Sequence, residues 1–366
     1  MSEVRAAVLT AYKEPLEIRQ YPAVKQAGPG EALVRVEMAG ICGTDVHLWL
    51  GQLPIPLPVI LGHETAGRID SLGEGLTKDW RGEPLHAGDR ITWASSVICG
   101  ECYYCREKHQ PTRCVSRKAY GISYCADEPP HLRGGYAEAI VLRAGSAIFR
   151  IPDSLPTDSV IGAGCALVTA IHGIERTTIT WGDTVVIQGT GPVGLAALAV
   201  AREAGAAKII AIGGPAHRLR MAEDFGADAT IDIAAVPEIA KRREQVLEAV
   251  GPYGADVVIE CVGHPEAVNE GIELCRDGGK YLVLGQYADA GTIAFRPHTI
   301  TRKQLQVVGS WGFEPRHVHK ALALLERSHW KDRFAAEITH RFPLTEANQA
   351  LETVRQWQAG KTVIVP

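Results

Sequence analysis

The sequence predicts an α/β protein of two domains, one mostly β and one built on parallel strands with helical crossovers, and three observations carry that expectation. The chain has 366 residues, more than one hydrophobic core normally serves. Up to about residue 155 it reads as short β-rich runs (32–36, 90–93, 137–142) separated by Gly and Pro. From about 160 to 300 apolar strands (184–188, 208–212, 257–261, 281–284) alternate with Ala-rich helical segments (195–204, 218–225), the pattern of a parallel sheet. The tail from about 305, with helical stretches at 317–327 and 344–358 and a strand at 362–365, reads as a return to the first domain. The expected boundaries are 1–155, 156–304 and 305–366. No internal repeat or low-complexity tract is visible.

Composition narrows the function. With 38 basic and 42 acidic residues the net charge is −4, and no block of like charge suits nucleic acid or an anionic membrane. A small neutral partner fits better. The N-terminus lacks a basic flank followed by a pure apolar core, so it reads as a first strand rather than a signal peptide. The most apolar stretch, 184–213, is broken by Gly189, Gly191, Gly194, Arg202, Glu203 and Lys208 and is no membrane span. A soluble cytoplasmic protein is expected. Nine cysteines, an odd number and clustered, point to metal rather than disulfides.

The strand at 184–188 runs into Gly189-Thr190-Gly191-Pro192-Val193-Gly194 and then a helix. Gly189 permits a tight turn, Gly191 lets the backbone approach a pyrophosphate, Gly194 allows helix and strand to pack closely, and the helix N-terminus attracts the anion. The second strand should end in an acidic residue that reads the ribose 2′-hydroxyl, yet Gly213 stands there. His217 and Arg218 lie close enough in sequence to meet a 2′-phosphate, though Arg218 is equally a candidate solvated residue of the next helix. NAD and NADP both stay open.

Two sets of metal ligands stand out. Cys99, Cys102, Cys105 and Cys114 form a four-thiolate arrangement, a lobe at about 95–118 expected to close a structural zinc; an iron–sulfur centre or a zinc ribbon are its rivals, and the near-neutral charge counts against the ribbon. Cys42, His63 and Cys165 are dispersed, and as ligands they would leave one position of a second zinc open. Asp45 is suited to accept the second ring N–H of His63 and fix its tautomer. Glu64 is either a fourth ligand or a charge behind the ligands; the second role is favoured, because a fourth protein ligand must leave for substrate to bind.

With these motifs on the page, the sequence resembles the zinc-dependent alcohol and polyol dehydrogenases of the medium-chain dehydrogenase/reductase superfamily over essentially its whole length. The resemblance rests on Cys42-Gly-Thr-Asp-Val-His47, Pro58 to Glu64 with Gly67 and Gly73, Gly88-Asp89-Arg90, the four-cysteine lobe, Gly134 to Glu138, Cys165 with Thr169, and the glycine turn. It implies a Rossmann dinucleotide-binding domain and a mostly β GroES-like catalytic domain, with the active site between them. It also implies two Zn²⁺ per chain, NAD or NADP, and a homodimer or homotetramer. Cys42, His63 and Cys165 look like catalytic zinc ligands, Thr44 and His47 like a proton relay, Thr169 like a residue lining the nicotinamide, and Lys361 like a contact of the cofactor pyrophosphate. Trp49, Ser95 and Trp311 match pocket positions, or are ordinary packing. Two departures stand out: eight residues precede Cys114 where seven are usual, and position 213 lacks its acid.

The expected activity is hydride transfer between an alcohol, a secondary alcohol or polyol by preference, and NAD(P). Two readings compete with it: a zinc-free NADPH reductase of the same superfamily, and a zinc-stabilised nucleotide-sensing binding protein. The zinc-free reductase has no use for Cys42, His63 and Cys165 together, and metal content discriminates all three readings.

Overall fold

A computed structural model describes residues 3–366, and the chain divides into two compact units, one running up to Cys165 and resuming at Glu314–Pro366, the other Ala166–Phe313. The first unit is the mostly β one. Its main sheet runs in the order Ile148–Arg150, Arg90–Trp93, Glu64–Leu72, Ala32–Ile41, Lys361–Val365, Ile338–Pro343, with Ala139–Leu142 also pairing with Ala32–Ile41. A small sheet joins Glu3–Leu9 to Glu17–Pro22 and Val59–Ile60. One core gathers Leu9, Leu48, Ile60, Leu61, Tyr136, Leu351 and Ile364, and a second Val34, Ile69, Ile91, Tyr120, Ile140 and Leu142. Such side chains contribute roughly 1.5–3 kcal/mol each on full burial, which outweighs strand propensity in fixing register.

That register builds the site. In the antiparallel pairings Gly40 lies opposite Glu64 and Thr362 opposite Ile41, so Glu64, Cys42 and Lys361 meet at one end of three neighbouring strands. The cysteine lobe hangs from a two-stranded ribbon in which Ser96 faces Ala119 and Val97 faces Lys118.

The second unit is a six-stranded, all-parallel sheet in the order Ala229–Asp232, Lys208–Gly213, Thr184–Gln188, Ala255–Glu260, Cys275–Val283, Gln306–Gly309. Numbered by position in the chain, this is 3-2-1-4-5-6, the doubly wound Rossmann order. The point where the order reverses lies between Thr184–Gln188 and Ala255–Glu260, and the carboxyl ends there are where such sheets bind ligands.

The chain changes unit after Cys165 and after Phe313, later than the expected 155/156 and 304/305. The reasons are local. The Ser159 hydroxyl donates to the Lys331 carbonyl at 2.8 Å, and a Cβ on Gly162 would stand 1.9 Å from the Phe334 carbonyl oxygen, which ties residues 157–165 to the C-terminal segment. Gln306–Gly309 adds to the parallel sheet beside Cys275–Val283. Among the described residues Thr157–Thr177 is the one helix long and apolar enough to cross a membrane, but 72% of its apolar window is buried inside the protein and the helix breaks at Gly164.

Candidate active site

Ligand-type atoms of Cys42, His63, Glu64 and Cys165 all lie within 4.8 Å of one another in the first unit. The short helix Gly43–Trp49 organises half of them. Cys42 is its N-cap, and Asp45 reaches back to accept the Cys42 N–H at 2.8 Å, so one helix start orders Cys42, Thr44, Asp45 and His47. Asp45 is fully buried, and its Oδ1 lies 3.3 Å from His63 Nδ1, as expected for the group that orients a metal-binding imidazole; Nε2 is then the nitrogen offered to an ion. The Cys42 and Cys165 sulfurs are 3.4 Å apart and unbridged. Two thiolates on one tetrahedral zinc stand about 3.8 Å apart, so the pair needs only a small adjustment.

Cys165 reaches the site through a broken helix. Gly164 adopts φ 46°, ψ −147°, which interrupts Thr157–Thr177 and frees the Cys165 N–H from helical bonding. Glu64 Oε1 takes that N–H at 2.7 Å. Its other oxygen forms a buried ion pair with the Lys361 ammonium. Both oxygens are thus engaged by protein donors, while Glu64 also lies among the four groups close enough to share an ion. Lys361 is 2% exposed, and the structure places its ammonium on Glu64.

The electrostatics match a cation site. The Cys165 thiol, donating to Cys42, holds the Cys42 thiol well below its ordinary value despite burial. Burial alone would lower His63, and the Asp45 carboxylate outweighs it and holds the imidazole high. Burial would raise Glu64, and the Lys361 ammonium outweighs it and holds the carboxyl at about 2. Two acidic centres and a nitrogen buried together are the donor set that a soft divalent cation neutralises.

Thr44 and His47 are half-buried, three residues apart on the same helix; Thr44 Oγ1 lies 3.6 Å from Cys42 Sγ, and His47 Nδ1 meets Gln52 Oε1. Gln52 carried no signal in the sequence, because only the turn after the helix brings it back. Ser95 is buried in the β unit, Trp49 donates its indole N–H to the Glu14 carbonyl at 2.8 Å, and Trp311 is 42% exposed in the second unit. Thr169 lies half-buried on the second half of the broken helix.

In the lobe, Cys99, Cys102, Cys105 and Cys114 converge in the same way, with Cys114 and Cys99 sulfurs 3.5 Å apart and backbone N–H groups of Cys99 and Cys102 pointing at sulfur. The Val115 and Cys105 backbone N–H groups bring the Cys102 thiol down to about 6. All four ligands are thiols, so an ion there has no open position.

In the second unit the glycine turn follows its expected geometry. Gly189 has φ 103°; a Cβ on Gly194 would stand 1.9 Å from the Gly189 oxygen; the space over Gly191 is open except for Arg218 Nη1 at 3.7 Å. Gly191 caps the helix Pro192–Glu203, with Pro192 in its first turn and Val193 following. Arg218 is 7% exposed, which corrects the alternative of a solvated residue: its guanidinium lies against the turn.

A Rossmann unit with a phosphate-type turn, carried on one chain with a β unit in which Cys42, His63, Glu64 and Cys165 lie close enough to share a metal ion, is the pattern of a metal-dependent dinucleotide oxidoreductase. Residues 28–153 match the model of the alcohol dehydrogenase GroES-like domain and 192–327 that of the zinc-binding dehydrogenases. The chain is 38% identical to 5-exo-hydroxycamphor dehydrogenase of Pseudomonas putida, over 100% of this chain and 99% of that one. It is 33% identical to sorbitol dehydrogenase of Halalkalibacterium halodurans, over 93% and 92%. Among solved structures it resembles an alcohol dehydrogenase from Thermotoga maritima (35% identity, TM-score 0.94, covering 100% and 99%) and a zinc-binding dehydrogenase from Sinorhizobium meliloti bound to NADP (30%, 0.86, 100% of both). The chain belongs to the zinc-dependent alcohol dehydrogenases of the medium-chain dehydrogenase/reductase superfamily. It is an oxidoreductase that works with zinc, NAD(P) and a small-molecule alcohol.

Proposed function

We propose that the protein interconverts a secondary alcohol, cyclic or polyhydroxylated, and its ketone, with Cys42, His63 and Cys165 holding the catalytic zinc and the lobe cysteines a structural one. The observation that carries this reading is Glu64: with its oxygens engaged by the Cys165 N–H and Lys361, three ligands remain and a tetrahedral ion keeps one position for substrate. Relatives named for hydroxycamphor and sorbitol support the substrate class. Zinc held there would supply Lewis acidity that lowers the pKa of a bound hydroxyl toward neutrality, and NAD(P) would supply the hydride acceptor.

The chain's own groups manage the proton. Thr44 Oγ1 accepts it from the substrate hydroxyl and hands it to His47. With Gln52 Oε1 accepting from His47 Nδ1, Nε2 is the nitrogen left to take it. Asp45 keeps His63 in the tautomer that offers Nε2. Thr169 lines the nicotinamide, Gly189, Gly191, Pro192, Val193 and Gly194 hold the pyrophosphate, and Arg218 is the candidate contact for a 2′-phosphate. By family resemblance the protein works in the cytoplasm as a homodimer or homotetramer.

Zinc analysis and turnover on a panel of secondary, cyclic and polyol substrates test the reading together. The purified protein should carry two zinc ions per chain. Cys42→Ser should carry one, bind dinucleotide as before and lose turnover. Full turnover by that variant would remove the centre from the chemistry.

A further inference from the structure

The missing acid at the end of Lys208–Gly213 has a steric cause. A Cβ on Gly213 would stand 2.4 Å from Thr190 Oγ1, 2.8 Å from Thr190 Cγ2 and 3.0 Å from the Thr190 nitrogen. Both branches of the threonine lie inside contact distance, so turning its side chain exchanges one clash for another. The residue is also held in place. Thr190 is 2% exposed, and Oγ1 accepts the Gly214 N–H at 3.2 Å and lies 3.4 Å from the Gly214 oxygen. A side chain at position 213 therefore displaces Thr190.

The electrostatic result is a site of altered sign. In dinucleotide folds a carboxylate here accepts the ribose hydroxyls of NAD and repels the 2′-phosphate of NADP. Here an uncharged hydroxyl fills that volume, and the Arg218 guanidinium lies 3.7 Å from where a Gly191 Cβ would be. A cation beside the open turn favours the additional phosphate.

We propose that Thr190 is a specificity-determining residue for the cofactor: by occupying the place of the acidic ribose reader it disfavours a side chain at 213 and, with Arg218, admits NADP as readily as NAD. This deepens the dinucleotide reading above and rests on it.

Equilibrium binding of NADH and NADPH, followed by nicotinamide fluorescence without alcohol present and paired with a melting curve, tests it. The unaltered protein should bind both within about tenfold of each other. Gly213→Asp should melt lower and weaken both, because the new side chain meets Thr190. Thr190→Gly combined with Gly213→Asp should recover NADH binding and weaken NADPH by about a hundredfold relative to NADH. If Gly213→Asp does not accumulate as folded protein, the double variant still decides, together with Arg218→Ala, which should weaken NADPH about tenfold and NADH little. Selective, tight NADH binding by Gly213→Asp alone, or a double variant that does not discriminate, would overturn the role of Thr190. Binding of neither dinucleotide by the unaltered protein would overturn the nucleotide reading itself, a result distinguishable from both.

Discussion

Gly164 is the residue on which the metal centre turns, and Gly164→Ala gives a quantitative test. Its conformation, φ 46° and ψ −147°, lies in a region nearly restricted to glycine, where another residue costs about 1–3 kcal/mol. The new methyl would also stand 2.5 Å from Glu64 Oε1 and 2.9 Å from Lys361 Nζ. To relieve it the carboxylate must leave the Cys165 N–H, a charge-assisted bond of 2.7 Å worth about 1.5–3 kcal/mol. Together these give about 2.5–6 kcal/mol, or a fall in melting temperature on the order of 10 °C for a unit of this size. Because Cys165 sits on the displaced segment, zinc should drop from two ions per chain to about one, with the lobe ion retained. Differential scanning calorimetry and metal analysis on the same preparation would measure both. A Gly164→Ala protein with two zinc ions and an unshifted transition would refute the argument that the kink presents Cys165.

Two further outcomes follow from the same geometry. Lys361→Met leaves Glu64 buried without its cation and should cost about 3–5 kcal/mol in urea unfolding, most of it regained when Glu64→Gln is added; equal losses in the single and double variants would mean that the pair is not coupled. His47→Ala should slow turnover about a hundredfold with dinucleotide affinity unchanged, and added imidazole should restore part of the rate, whereas a loss that no exogenous base repairs would remove His47 from the relay.

What could be read from the sequence was what is local in it. The strand Thr184–Gln188 appears with its expected limits because an apolar run leads straight into the glycine turn. The lobe cysteines lie within one short stretch, so their convergence needs only a ribbon at its base. Cys42, His63 and Cys165 stood out by residue type, and the family resemblance supplied their expected role. The place of Lys361 was not legible, since its pairing with Glu64 depends on the register of three strands, and Gly164 and Thr190 owe their roles to side chains distant in sequence. Some elements left little pattern. The helix Ile239–Val250 buries only Arg242 and Val246, and Ile338–Pro343 alternates between half-buried and exposed positions without an apolar face.

The β unit is written in two pieces, with the whole of Ala166–Phe313 inserted between them. During synthesis the inserted piece is continuous, whereas the partner of Glu64 lies 297 residues further on and emerges after it. Until that strand is threaded beside Ala32–Ile41, the carboxylate lacks its counter-charge and the thiols Cys42 and Cys165 wait half-assembled. Completion of the centre therefore waits on a strand that lies beyond the whole inserted unit.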